Sequence, residues 1–154
     1  MLTSILLAMN DAPTDRLALD SQLCFALYRA NRAVVRSYRP LLAELGLTYP
    51  QYLVMLALWE ADEAVPLKFI DSRLGLDSGT LTPLLKRLEK QGYVERWRDP
   101  DDERRTLAAL TADGASLRTR AECIPEAMAK EVLRAFLDQK GFLTQDKGEF
   151  DAQG

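Results

Sequence analysis

Histidine is absent from this chain of 154 residues, and cysteine occurs twice, at Cys24 and Cys123. The missing imidazole removes the commonest general base and a favoured metal ligand. Neither His-dependent catalysis nor a His/Cys metal centre is expected, and no cofactor is required. Two cysteines this far apart do not make a disulfide scaffold, which points to a reducing cytoplasm. Long apolar runs are missing as well. Leu2 to Met9 is short and has neither a basic flank nor an A-x-A cleavage site, so no signal peptide and no membrane span is expected, and Met9 is an alternative first residue. Positive charge is in no surplus, since 20 Lys and Arg stand against 23 Asp and Glu for a net charge of -3. That balance argues against bulk attraction to nucleic acid but leaves room for a basic footprint on one face.

Hydrophobic residues make up 47% of the chain, enough for one core. Their spacing predicts a first helix from about Leu17 to Tyr38, broken by Pro40, with Leu41 to Leu45 as a final turn before Gly46. Thr48-Tyr49-Pro50-Gln51 is a capping box that opens a second helix through Trp59, apolar almost all round and therefore internal. Val65 to Leu74 gives a short helix, and Gly75 and Leu76 turn into another, which Asp77 or Ser78 caps and Gly92 ends. Tyr93 to Trp97 and Thr106 to Leu110 read as strands around a type I turn at Asp99-Pro100-Asp101-Asp102. After Thr111 and Gly114 a long helix is expected to about Leu137, disturbed near Pro125, with Ile124, Met128, Val132 and Phe136 along one side.

The expected fold is mainly α with a small β-wing: a winged helix-turn-helix over residues 16–139, its DNA-binding part at about 48–111. N- and C-terminal dimerisation helices, at about 16–45 and 112–139, flank it. Residues 1–15 form a loosely ordered arm and 140–154 a frayed tail. Long terminal helices with apolar stripes and little else to pack on suggest a two-fold homodimer.

In the 77–91 helix, Leu81, Leu84, Leu85 and Leu88 make a buried stripe and leave Ser78, Thr80, Thr82 and Lys86 facing outward. Lys86, Arg87, Lys90, Arg96, Arg98, Arg104 and Arg105 gather within that helix and the hairpin, diluted by Asp99, Asp101, Asp102 and Glu103. The first turn of the helix would enter the major groove of double-stranded DNA, and the hairpin would reach the minor groove or backbone. The plainer alternative is a charged, solvated surface.

Cys24, Tyr28, Asn31, Val35 and Tyr38 step by four, three, four and three residues, so one helix face carries a thiol and two phenols. Tyr49 follows just after the loop. A thiol reacts as the thiolate, a form that phenolic donors favour, and Leu23, Phe25 and Leu27 offer an apolar approach to a hydrophobic oxidant. Peroxide attack would give a sulfenic acid. Spacing alone favours the plainer reading, in which Cys24 is a small packing residue and the tyrosines are satisfied core residues.

The segments Gln22-Leu23-Cys24-Phe25, Leu27-Tyr28, Tyr38-Arg39-Pro40-Leu41-Leu42 and Leu47-Thr48-Tyr49-Pro50-Gln51-Tyr52-Leu53 carry a further signal. With Leu58-Trp59, Leu76 to Pro83, Leu85-Lys86-Arg87, Asp102-Glu103-Arg104 and Leu110-Thr111, they resemble the MarR family over about residues 17–128. Within it they resemble the repressors that sense organic hydroperoxides. The resemblance implies a homodimeric repressor, not an enzyme, that leaves its operator when Cys24 is oxidised. Tyr28, Tyr38 and Tyr49 would hold the thiolate. Ser78, Gly79, Thr80, Thr82, Pro83, Lys86, Arg87, Arg98, Arg104 and Arg105 would meet DNA. The partner cysteine of two-cysteine relatives falls near Ala129 and Lys130, so both Cys123 and a low-molecular-weight thiol stand as the resolving group. A MarR-like repressor released by a small phenolic or aromatic ligand is the alternative. A thiol peroxidase is a third reading.

Overall fold

A computed structural model describes the backbone of residues 15–145 and the side chains of residues 15–134. The arm expected at 1–15 therefore lies almost wholly outside the described residues. The chain divides between Arg36 and Ser37 into two compact units.

The first unit opens on tight turns, with a single 3-10 turn at Leu19–Ser21, and then begins helix α1 at Leu23–Ala43, whose residues from Ser37 on are counted with the second unit. The helix thus starts six residues later than its apolar spacing suggests. Asp15 is the reason: its Oδ1 accepts the Leu17 N–H at 3.0 Å and its carbonyl accepts the Ala18 N–H at 2.9 Å. Such an aspartate turn competes with helix formation for the same donors. The expected break at Pro40 does not occur either, for Pro40 lies inside α1. A proline within a helix costs about 3 kcal/mol. Leu42, Leu45 and Leu47, which follow it, are all buried, and each contributes roughly 1.5–3 kcal/mol, so packing wins.

In the second unit, α2 spans Tyr49–Ala61 and buries Gln51, Tyr52, Val54, Met55, Ala57, Leu58 and Trp59, as an all-round apolar helix should. Val65–Pro66 is strand β1, not the first turn of a helix. Its residues pair antiparallel with Ala108 and Leu107, and α3 begins only at Leu67 and ends at Leu74. Helix α4 follows at Ser78–Lys90, then strands β2 at Val94–Arg98 and β3 at Thr106–Leu110. The three strands lie in the order β1-β3-β2, with Val94 opposite Leu110 and Arg98 opposite Thr106.

The single long helix expected after Thr111 is two helices, α5 at Ala112–Ala121 and α6 at Ile124–Gln145. Pro125 cannot donate to the Ala121 carbonyl, so α5 is not continued. In the first turn of α6 the missing donor costs nothing. Because α6 runs to Gln145, part of the segment expected to be frayed is helical; residues 146–154 lie outside the described residues.

Val54, Met55, Ile70, Leu85, Leu88 and Ala108 are completely buried and tie α2, α3, α4 and the sheet into one core. The start of α5 is pressed onto this core so closely that a Cβ on Gly114 would stand 1.9 Å from the Tyr93 carbonyl oxygen. The Gly114 carbonyl accepts the buried Trp59 Nε1–H at 2.9 Å. Helix, turn, helix and a two-stranded wing packed on a supporting helix make a winged helix-turn-helix.

Candidate nucleic-acid interface and thiol segment

The stripe of α4 explains its exposed face. Leu81, Leu84, Leu85 and Leu88 are buried, which leaves Ser78, Gly79, Thr80, Pro83, Lys86 and Arg87 outside and Thr82 half-buried. Asp77 caps the helix: its Oδ1 accepts the Thr80 N–H at 2.8 Å and its Oδ2 the Thr80 hydroxyl at 3.1 Å. Those bonds hold its carboxyl below the usual aspartate range. Gly79 keeps the cap open, since a Cβ there would meet Asp77 Oδ1 at 3.0 Å. Ser78 Oγ donates to Asp71 Oδ2 at 3.4 Å. At the far end, Gly92 (φ 79°) lets the Tyr93 and Gly92 N–H groups return to the Leu88 and Glu89 carbonyls.

The wing tip is more ordered than a solvated loop. Asp99 is buried, its Oδ1 accepts the Asp101 N–H at 3.0 Å, and its Oδ2 lies 3.6 Å from Arg105 Nη1. The Asp102 N–H returns to the Asp99 carbonyl at 3.3 Å, the turn expected from Asp99-Pro100-Asp101-Asp102. The aspartates that dilute the basic field therefore also shape the hairpin. The Arg104 side chain is 97% exposed and approaches Asp102 only to 3.9 Å. Arg98 is exposed, whereas Arg96 is not available to a ligand. Arg96 is half-buried and bonded to Glu89 at 2.5 Å, so it drops out of the basic footprint.

Between α3 and the wing lies an open groove of about 1020 Å³, lined by Lys68, Ser72, Ser78, Arg104, Arg105 and Thr106 among others. Its cations and hydroxyls suit phosphate oxygens, while the Asp71 carboxylate on the same groove works against them. Lys68, in the first turn of α3, joins this set. No charge cluster in the sequence marks it, because only the fold brings it beside the wing.

In the first unit, Cys24 is an exposed free thiol one turn before Tyr28, whose ring is also exposed. The Tyr28 hydroxyl accepts a bond from Arg32 Nη1 at 3.0 Å, with the guanidinium 5.6 Å from the ring centre. That contact uses a lone pair and leaves the phenolic proton to donate elsewhere. Leu23 and Leu27 are exposed beside the thiol.

In the second unit, Tyr38 and Tyr49 stand 4.7 Å apart between ring centres, and Tyr52 joins them 6.0 Å from Tyr38. Burial, and secondarily the neighbouring Tyr49, raises the Tyr38 phenol above its ordinary range. Tyr52 is raised by burial first, then by Tyr38, Tyr49 and Cys123. Tyr52 is the member that spacing did not single out; its place three residues after Tyr49 on α2 was the available signal. Cys123, an exposed free thiol in the break between α5 and α6, donates to the Arg120 carbonyl at 3.5 Å. Among the described residues, no cluster of three or more His, Cys, Asp or Glu suits a metal ion, and no helix is long and apolar enough to cross a membrane.

Residues 36–120 match the family described as transcriptional regulator SarA/Rot. The chain is 53% identical over 130 residues to the HTH-type transcriptional regulator TtmR of Methylorubrum extorquens, covering 80% of this chain and 66% of that protein. It is 50% identical over 111 residues to the organic hydroperoxide resistance transcriptional regulator of Bacillus subtilis, covering 72% and 75%. Among solved structures, AbfR in its reduced, DNA-bound form superposes with a TM-score of 0.65 at 36% identity, covering 88% of this chain and all of that one. AbfR, solved from Staphylococcus epidermidis, is also known overoxidised on DNA (TM-score 0.65) and with a disulfide formed (TM-score 0.60).

Proposed function

The chain belongs to the SarA/Rot-type, MarR-like family of winged-helix transcriptional regulators, whose members act as regulators and not as enzymes, and we propose that it is a homodimeric repressor that leaves its operator when an organic hydroperoxide oxidises Cys24. The single observation that carries this reading is the exposed thiol one turn from a phenol whose lone pair is already taken by Arg32. Such a phenol is poised to donate to a thiolate. The 50% identity to a regulator named for organic hydroperoxide resistance supports the same signal. A reducing cytoplasm is the compartment in which the reduced form would persist.

Tyr38 and Tyr49 pack on each other in the second unit, whereas Cys24 belongs to the first. We therefore assign Tyr38 and Tyr49 to the thiol of the partner subunit. Two-fold symmetry makes this reciprocal, so each half of the dimer supplies a thiol and receives two phenols. Leu23 and Leu27 in the first unit, and Val132 and Leu133 in the second, are exposed apolar residues that such a dimer would bury.

In the chemical step the Cys24 thiolate attacks the distal oxygen of ROOH and the O–O bond breaks. The sulfur is oxidised by two electrons to S–OH, and the alkoxide leaves as ROH after taking a proton. A second thiol then displaces water to form a disulfide. Cys123 and a low-molecular-weight thiol both remain candidates for that group. AbfR has been solved overoxidised yet bound to DNA, which favours the disulfide, not oxygen on sulfur, as the releasing state. Loss of the half-site spacing then ends binding, because Ser78, Gly79, Thr80, Thr82, Pro83, Lys86 and Arg87 of one recognition helix must register with those of the other, and Arg98, Arg104 and Arg105 with the neighbouring backbone or minor groove.

A pocket of about 370 Å³ lined by Tyr52, Leu56, Trp59 and Arg118, among others, favours a second reading, release by a small aromatic ligand. Gel shifts at fixed salt with cumene hydroperoxide in the presence of a small thiol separate the two. Wild type is expected to lose its operator and Cys24→Ser to keep it. Equal release of both proteins would reject the thiol reading, and release of both by a phenolic acid would establish the second.

A further inference from the structure

We infer that Gln91 and Gln51 are positioning residues that lock the foot of the recognition helix to the corner between α1 and α2, so that a displacement of this corner moves the DNA-reading surface. The inference rests on the thiol-sensing reading for its biological use, though not for its geometry.

Three consecutive carbonyls of the corner are each taken by a side chain from a different element. Glu44 O accepts Arg120 Nη2 of α5 at 2.6 Å, Leu45 O accepts the Tyr93 hydroxyl just before β2 at 3.4 Å, and Gly46 O accepts Gln91 Nε2 at the end of α4 at 2.8 Å. The end of a helix leaves carbonyls without intrahelical partners. Here the partners come from the C-cap of the recognition helix, the residue before the wing strand and the helix behind them.

The Gln91 link continues into the core. Gln91 Oε1 accepts Gln51 Nε2 at 3.1 Å, and Gln51 Oε1 accepts the Thr48 N–H at 2.8 Å and the Thr48 hydroxyl at 2.9 Å. This relay has one polarity. A backbone N–H, which can only donate, closes one end, and a carbonyl, which can only accept, closes the other, so both amide orientations are fixed. Gln51 is 4% exposed. Gln91 itself is exposed, so the costly break is the one that would leave the buried Gln51 amide without a partner, and it is there that the relay resists opening. Tyr49 sits between Thr48 and Gln51 and faces Tyr38. Movement of that phenol pair therefore pulls on the first turn of α2, which the relay ties to the foot of α4.

The test uses the full chain with Gln91→Ala and Gln91→Glu. The carboxylate keeps an acceptor for Gln51 but has no proton for the Gly46 carbonyl. Operator affinity is measured for reduced and for hydroperoxide-treated protein, with Cys24 oxidation followed by intact mass. Both variants are expected to fold, to oxidise at the wild-type rate, and to lower the ratio of reduced to oxidised affinity by about tenfold or more relative to wild type. Equal weakening of both forms, leaving that ratio unchanged, would overturn the inference and leave the relay as simple reinforcement.

A second measurement stands apart from redox chemistry. In reduced protein, Tyr49→Ala and Gln91→Ala are expected to be non-additive on operator affinity by about fivefold, whereas additivity within about twofold would overturn the coupling. If wild type itself stays on DNA after oxidation, the sensing reading fails while this cycle still decides the relay.

Discussion

Between Thr48 and Leu110 the chain supplies most of its own core, with Val54, Met55, Leu85 and Leu88 wholly enclosed, whereas between Asp15 and Arg36 no described side chain is buried. Leu17 is 90% exposed, Leu23 74% and Leu27 62%. The second region packs by itself. The first carries an apolar face that, in the proposed dimer, a second copy covers. The proposed sensing thiol lies in the region without a buried core of its own, and the proposed DNA-reading helix in the one that has it. Oxidation chemistry placed in a self-sufficient core would threaten the fold; placed at an assembly surface, it acts on geometry between subunits.

The sharpest way to break this contrast is to truncate one leucine in each region. Leu85→Ala is expected to cost about 3–5 kcal/mol, read as a large fall in the urea midpoint, because Leu85 is fully buried and the site cannot easily collapse. Leu27→Ser is expected to leave the second unit's packing intact while weakening the dimer by roughly 2 kcal/mol, about thirtyfold in the monomer–dimer constant by analytical ultracentrifugation. A fall in urea midpoint like that of Leu85→Ala, with no change in association, would erase the distinction. Arg104→Ala comes next: operator affinity should drop by about 5- to 100-fold in a salt-controlled gel shift with the dimer and melting unchanged. Unchanged affinity would remove the wing from DNA recognition.

The smallest effect concerns pH. Burial raises the Tyr38 and Tyr52 phenols, so above about pH 10 the unfolded chain loses protons that the folded chain keeps. Stability is therefore full below that value and declines as pH rises through the raised folded values. Tyr52→Phe should flatten the alkaline limb of a denaturation series, and an unaltered limb would count against the buried tyrosine cluster.

Legibility followed locality. Helix α4 could be read because its cap, stripe and terminating Gly92 are all set within a few residues, and strand β3 appears at its expected bounds for a similar reason. What failed depends on distant partners. Pro40 stays helical because buried leucines beyond it outweigh its cost, and β1 exists only because Ala108 and Leu107 lie beside it. Arg96 looked like part of the basic footprint, but its bond to Glu89 withdraws it, while Lys68 joins the groove through a fold-level approach that no spacing encodes. Cys24 and Tyr28 could be read as neighbours one turn apart on a helix. The use of the Tyr28 lone pair by Arg32 became visible only with coordinates.

The central claim is that the state of one sulfur decides DNA occupancy, and it is tested most directly by titrating DNA-bound protein with substoichiometric cumene hydroperoxide in the presence of a small thiol. Intact mass and fluorescence anisotropy are then read on the same samples. The fraction of Cys24 in a disulfide should track the fraction of DNA released, point for point, and Cys24→Ser should show neither. Quantitative modification of Cys24 to the disulfide with the operator still fully bound would contradict the account.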